Sequence, residues 1–113
     1  MKYLDLKVIK KYEKYADYYN IARICRGLDK STKTKEGFLV VYKRLKDHNK
    51  LKNIYATKNT TWDKYRTNYV NAKLAQMKKN KIALYDDKGI PTKMHIILIM
   101  WAYSPDIKND FIN

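Results

Sequence analysis

Three ammonium groups and three hydroxyls interleave in the segment Lys30-Ser31-Thr32-Lys33-Thr34-Lys35. Ammonium groups supply positive charge, while hydroxyls and backbone amides add hydrogen-bonding geometry, so the segment suits phosphate oxygens. It precedes an expected helix start at Thr34, where free N–H groups and the positive end of the helix dipole favour an anion. The plainer reading is a basic loop with a helix cap. Lys43 and Arg44 would point outward from the helix that follows. Further along, Arg66 and Lys73 stand seven residues apart, hence on one face of a helix, and mark out a phosphate track that Lys78, Lys79 and Lys81 extend. Trp62, Tyr65 and Tyr69 interleave with that track. Such rings either stack on bases or build a core, and their helical spacing favours the core.

Enzyme chemistry finds little footing. His48 and His95 lie far apart without a ligating neighbour one turn away, and His95 belongs to an apolar stretch where a packed ring is expected. Asp86 and Asp87 read as solvated turn residues beside Gly89. Glu36, Asp47 and Asp63 are too few and too scattered along the basic stretch to suggest a magnesium nuclease. No glycine-rich phosphate loop, nucleophile elbow or HExxH pattern occurs. With a single cysteine, Cys25, neither an intrachain disulfide nor a cysteine-based zinc site can form. The expectation is a non-enzymatic chain with no cofactor, no metal and no catalytic residue.

Charge sets the partner class. The 113 residues carry a net charge of +14. Between Lys30 and Lys81 there are 15 basic and 3 acidic side chains, a balance of +12, while the first 29 residues contribute +3 and the last 32 contribute −1. A polyanion relieves the self-repulsion of such a segment, and nucleic acid is the commonest one. Lysine outnumbers arginine 21 to 4. Lysine is a hydrated point charge, whereas arginine makes the bidentate contacts that read guanine, so charge and shape count here for more than sequence. Asn68, Asn71 and Gln76 keep a sequence-reading helix in view.

The elements that must carry these groups follow from hydrophobic period. Leu4 to Arg26 reads as a helix ended by Gly27, or as two shorter helices divided at Asn20. A second helix is expected over 35–46 with Phe38, Leu39, Tyr42 and Leu45 inward, Gly37 in its first turn permitting close backbone approach. A third is expected over 61–79, opened by a Thr60–Asp63 capping box. Asp86 to Gly89 is a turn between two short apolar pieces, with a brief strand pairing as one reading. A fourth helix, Lys93 to Tyr103, capped by Thr92, is apolar nearly all round and so belongs at the domain centre or in a subunit interface. The fold class is mostly α: a compact bundle of four to five helices with an irregular or short hairpin segment around 82–91. Residues 1–105 form one basic domain and 106–113 a short tail. The mixed charge of the first 14 residues argues against a signal peptide. The longest apolar run, Ile96 to Tyr103, falls far short of the ~20 residues that span a bilayer, so no membrane partner is expected.

The stretches Lys30 to Arg44 (KSTKTKEGFLVVYKR) and Pro91 to Pro105 (PTKMHIILIMWAYSP), with Trp62 to Gln76 between them, resemble a family of small basic proteins of large double-stranded DNA viruses and bacteriophages. The likeness covers roughly residues 20–105. It implies a viral setting, in the virion interior or the infected host cell, and agrees with a palette rich in the A- and T-coded residues Lys, Asn, Ile and Tyr. The resulting expectation is an architectural protein that neutralises and compacts genomic double-stranded DNA through phosphate contacts with little sequence preference. Two alternatives stand beside it: a helix-turn-helix-like transcriptional regulator, and a virion structural or host-interaction protein that binds an acidic partner. Self-association through the apolar fourth helix is a further expectation.

Overall fold

Asp5 opens the first helix by accepting a hydrogen bond from the Lys7 N–H at 2.9 Å. In the computed structural model, which describes residues 1–107 and the backbone of 111–112, this helix, α1, spans Leu6–Tyr18 and buries Val8, Ile9 and Ala16. The break falls at Asn20, whose φ of 52° is left-handed, a region asparagine tolerates better than most residues. A 3-10 turn, Arg23–Arg26, follows and stops at Gly27 with φ 69°. The shorter-helices reading of this stretch is therefore the right one.

The second helix, α2, spans Phe38–Leu45, three residues later than the spacing predicts. Thr34 does not cap it. Its hydroxyl accepts from the Ser31 N–H at 3.0 Å and donates to the Glu36 carbonyl at 2.8 Å, closing the basic loop on itself. The first turn of α2 is capped instead by a carbonyl from outside: Gly27 O accepts from the Leu39 N–H at 2.9 Å and more weakly from Val40 at 3.4 Å. A Cβ on Gly37 would sit 2.2 Å from that same oxygen, so only glycine admits the approach.

α3 spans Trp62–Lys79 and is capped by Thr61, whose hydroxyl accepts from Lys64 N–H at 3.5 Å. The expected Thr60–Asp63 box is displaced by one residue, and the Asp63 carboxylate accepts from the Tyr3 hydroxyl at 2.7 Å instead. Between α2 and α3 a 3-10 turn, His48–Lys52, buries Leu51, and Tyr55 bridges Thr61. In the 82–91 segment the only ladder contact among the described residues is the single bridge Tyr85–Pro91, while Asp86 Oδ1 holds the turn by accepting from Lys88 and Ile90 N–H.

The last helix, α4, spans Lys93–Met100 and ends earlier than expected, at Trp101 and a left-handed Ala102. Every residue from His95 to Ala102 is buried. An eight-residue helix apolar on all sides must be surrounded, and here α1, α3 and the Arg23–Arg26 turn surround it. Of the two places expected for this helix, the domain centre is the one observed: its apolar surface is covered within one chain. Phe38 and Tyr69 stack on Trp101 at centroid separations of 5.1 and 3.8 Å, joining α2, α3 and the end of α4. The result is a mostly α domain whose four helices share one core. Of the expected 106–113 tail, Phe111–Ile112 (β2) pair antiparallel with Tyr3–Leu4 (β1), and 108–110 and 113 lie outside the described residues. Among the described residues no helix is long and apolar enough to cross a membrane.

Candidate nucleic-acid interface

The 30–35 loop, the 55–60 loop and the first half of α3 converge on one groove. One section, of about 620 Å³, is lined by Lys33, Thr57, Lys58, Asn59, Thr60, Tyr65, Asn68 and Tyr69. A second hollow of about 430 Å³ shares Lys33, Thr57 and Lys58 with it and adds Lys35, Tyr55 and Ala56. On its other side Tyr65 and Tyr69 are shared with an aromatic cleft of about 260 Å³ that has Lys73 among its lining residues. Lysines from three separate segments thus line hollows that share walls, together with hydroxyls and amides that can donate to phosphate oxygens. Lys33, Lys35 and Lys58 are exposed, Lys73 is half-buried with its ammonium 5.4 Å over the Tyr69 ring, and none of the four has an ion-pair partner among the described residues. Burial raises the Tyr69 pKa, so the phenol stays neutral and does not oppose an anion.

The predicted site residues divide. Lys33, Lys35 and Lys73 line the groove and its cleft. Lys30 and Thr32 are exposed on the same loop but line none of the three hollows. Ser31 and Thr34 are turned to structural use: Thr34 is buried, and the Ser31 hydroxyl accepts from the Lys33 N–H at 3.2 Å. The helix start behind them is closed to an anion by the Gly27 carbonyl, so the dipole contribution expected there is not available. Lys43 and Arg44 do lie on the outer face of α2, but each is engaged, Lys43 with Glu13 at 2.6 Å and Arg44 with both oxygens of Glu36 at 2.6 and 2.9 Å. The Arg44 hydrogen bonds hold the Glu36 carboxyl below its ordinary pKa. Lys78, Lys79 and Lys81 are exposed and line none of the hollows. At ~100° per residue Lys79 stays within about 40° of Tyr65 on α3, whereas Lys78 lies roughly 140° round the helix.

Arg66 is the main correction. Its relative exposure is 0%, and it makes no phosphate track with Lys73. The guanidinium donates to the carbonyls of Trp101 (2.9 Å), Ala102 (2.6 Å), Lys2 (2.8 Å) and Met1 (3.4 Å) and lies 4.0 Å over the Tyr3 ring. Burial pulls its pKa down from the ordinary guanidinium value, with Tyr3 and Asp63 opposing that shift. Trp62 is buried core, and Tyr65 is half-buried in the groove wall. Lys58, with Thr57, Asn59 and Thr60, is the part of the groove the linear reading passed over. Its signal in the sequence is a second interleaving of lysine with hydroxyl and amide residues, Thr57-Lys58-Asn59-Thr60.

His95 is a packed core residue, as its setting suggested. Its Nδ1–H donates to the Leu84 carbonyl at 2.9 Å, which leaves Nε2 to accept from the Ser104 hydroxyl at 2.8 Å. Ser104 Oγ in turn accepts from the Asp106 and Ile107 N–H groups at 3.2 and 3.3 Å. Burial holds the His95 pKa below the ordinary 6.5, more than the Leu84 bond raises it. The unfolded chain then takes up this proton at higher pH than the folded one, so the stabilisation is complete above about 6.5 and is lost as pH falls below it. Urea midpoints measured from pH 8 to pH 5 should decline across that window for the natural chain and be flatter for His95→Gln.

Among the described residues no three His, Cys, Asp or Glu side chains gather as a metal would require. Comparison of the chain with protein-family models, curated proteins and solved structures finds no match.

Proposed function

We propose that this protein is a non-catalytic nucleic-acid binder, foremost of double-stranded DNA, that neutralises and compacts the polymer through its phosphates with little sequence preference. The observation that carries the reading is the convergence of Lys33, Lys35, Lys58 and Lys73 on neighbouring hollows that share lining residues and are furnished with hydroxyl and amide groups. Lysine ammonium groups displace condensed counterions from phosphate, and flanking hydroxyls and amides orient the backbone.

The low sequence preference has a separate support. Arginine is the residue suited to bidentate reading of guanine. All four arginines here are occupied: Arg23 by Asp29, Arg26 by Asp17, Arg44 by Glu36 and Arg66 by backbone carbonyls. What faces a ligand is therefore mostly lysine. The resemblance to small basic viral proteins agrees with this role and would put it in the virion interior or the infected cell.

Salt dependence tests the reading. If roughly six phosphates are engaged, log affinity for random-sequence duplex should fall with log salt at a slope near −5. No binding of duplex or single strand at low salt would end the proposal. A regulator reading draws on the exposed Asn68, Asn71 and Gln76 of α3. The same titration with excess random competitor separates the two, since a regulator would retain one preferred site.

A further inference from the structure

We infer that the aromatic cleft at the end of the lysine groove is a pocket for one unpaired nucleobase of a bound single strand. The inference rests on the nucleic-acid reading and adds the part of the nucleotide that the lysines do not account for. The cleft is walled by Phe38, Trp62, Tyr65, Tyr69 and Trp101, with Lys73 among its lining residues. Its volume of about 260 Å³ is below the ~300–1,000 Å³ typical of sites for drug-sized ligands, so it suits a single planar heterocycle.

Its position relates it to the groove. Tyr65 and Tyr69 line both the cleft and the section that carries Lys33 and Lys58. A strand whose phosphates follow those lysines brings a base to rings already at the groove wall. Phe38, Trp62 and Trp101 are buried, so the ring surface open to a base is that of half-buried Tyr65 and Tyr69, and Lys73, its ammonium 5.4 Å over the Tyr69 ring, supplies positive charge where base and phosphate meet. Two carboxylates also line the cleft, which would repel a strand if uncompensated. Each is held by an arginine, Asp29 by Arg23 at 3.0 Å and Glu36 by Arg44 at 2.6 Å. Their oxygens can still accept from the exocyclic amino group of a base such as cytosine. A paired base in a duplex must first be extruded, which is costly, so the cleft favours single strand.

The chain contains two tryptophans, and both line this cleft, so its own fluorescence reports occupancy. The experiment titrates the full chain with oligodeoxycytidine of about twelve nucleotides and with an abasic strand of equal length, within the ~4–16 nucleotides such grooves engage. The expected result is saturable quenching by oligodeoxycytidine and about 10-fold or tighter binding than the abasic strand, with similar salt slopes for both. Tyr65→Leu, which removes a π face and keeps apolar bulk, should abolish the difference between the two strands, so that oligodeoxycytidine and the abasic strand bind this variant with equal affinity. Equal affinity and equal signal for the two strands would overturn the base pocket while leaving phosphate binding intact. Binding of neither at low salt would remove the underlying reading as well.

Discussion

Arg66→Met should destabilise the fold by about 3–5 kcal/mol, a fall of roughly 15 °C in melting temperature, while leaving DNA affinity of the folded molecule unchanged. The guanidinium is fully buried and is the common partner of four carbonyls from two chain segments. Two of them, Trp101 and Ala102, end α4, where unsatisfied carbonyls form the negative pole of the helix and a cation is most favourable. The other two, Met1 and Lys2, precede β1, so one side chain fastens the N-terminal strand to the central helix. Methionine matches much of the apolar stem but removes the guanidinium donor from the Trp101, Lys2 and Met1 carbonyls and leaves Ala102 O with the Leu4 N–H at 2.8 Å, and each buried unsatisfied group costs about 1–3 kcal/mol. Arg66→Lys keeps the charge but has no planar fork to span four acceptors, so an intermediate loss is expected. Thermal melts together with DNA titration at a temperature where both forms are folded check this. A stable Arg66→Met protein with weakened DNA binding would return Arg66 to the interface.

The helices were largely legible because their signals are local. Apolar residues at helical spacing mark α1 and α3, Gly27 marks a stop, and an apolar circumference identifies α4 as central. Arg66 was misread although the spacing pointed the right way: Trp62, Arg66 and Val70 lie four residues apart on one stripe, and Trp62 and Val70 are buried. Residue type overruled position, because arginine is seldom fully buried and then only with partners. Those partners are carbonyls 35 and more residues distant, which no local pattern reveals. The start of α2 was misjudged for the same reason. A hydroxyl three residues ahead of Gly37 looks like a cap, but the real cap is a carbonyl brought from Gly27 by tertiary contact. Of the groove, Lys33, Lys35 and Lys73 could be proposed from composition, whereas pairing the 30–35 loop with Lys58 requires the folded chain.

The second large effect concerns that pairing. Replacing Lys33, Lys58 and Lys73 together by glutamine should weaken duplex binding by roughly 500-fold at ~0.1 M salt and reduce the salt slope by about 2.7. Each lost phosphate contact removes ~0.9 from the slope, and at tenfold below molar salt each such contact is worth nearly one decade of affinity. The three side chains are exposed or half-buried and make no ion pair among the described residues, so folding should be little affected. The matching control is Lys7, Lys10 and Lys11, exposed on α1 and lining none of the three hollows. Either triple lowers the net charge by three, from +14 to +11. Measuring both triples side by side against the same random duplex across salt separates a built groove from general cationic attraction. A large loss of affinity and slope in the groove triple, with less than about threefold loss in the α1 triple, is the predicted result. Equal losses in the two would show that total charge, and not the convergence of three segments on one groove, holds the DNA.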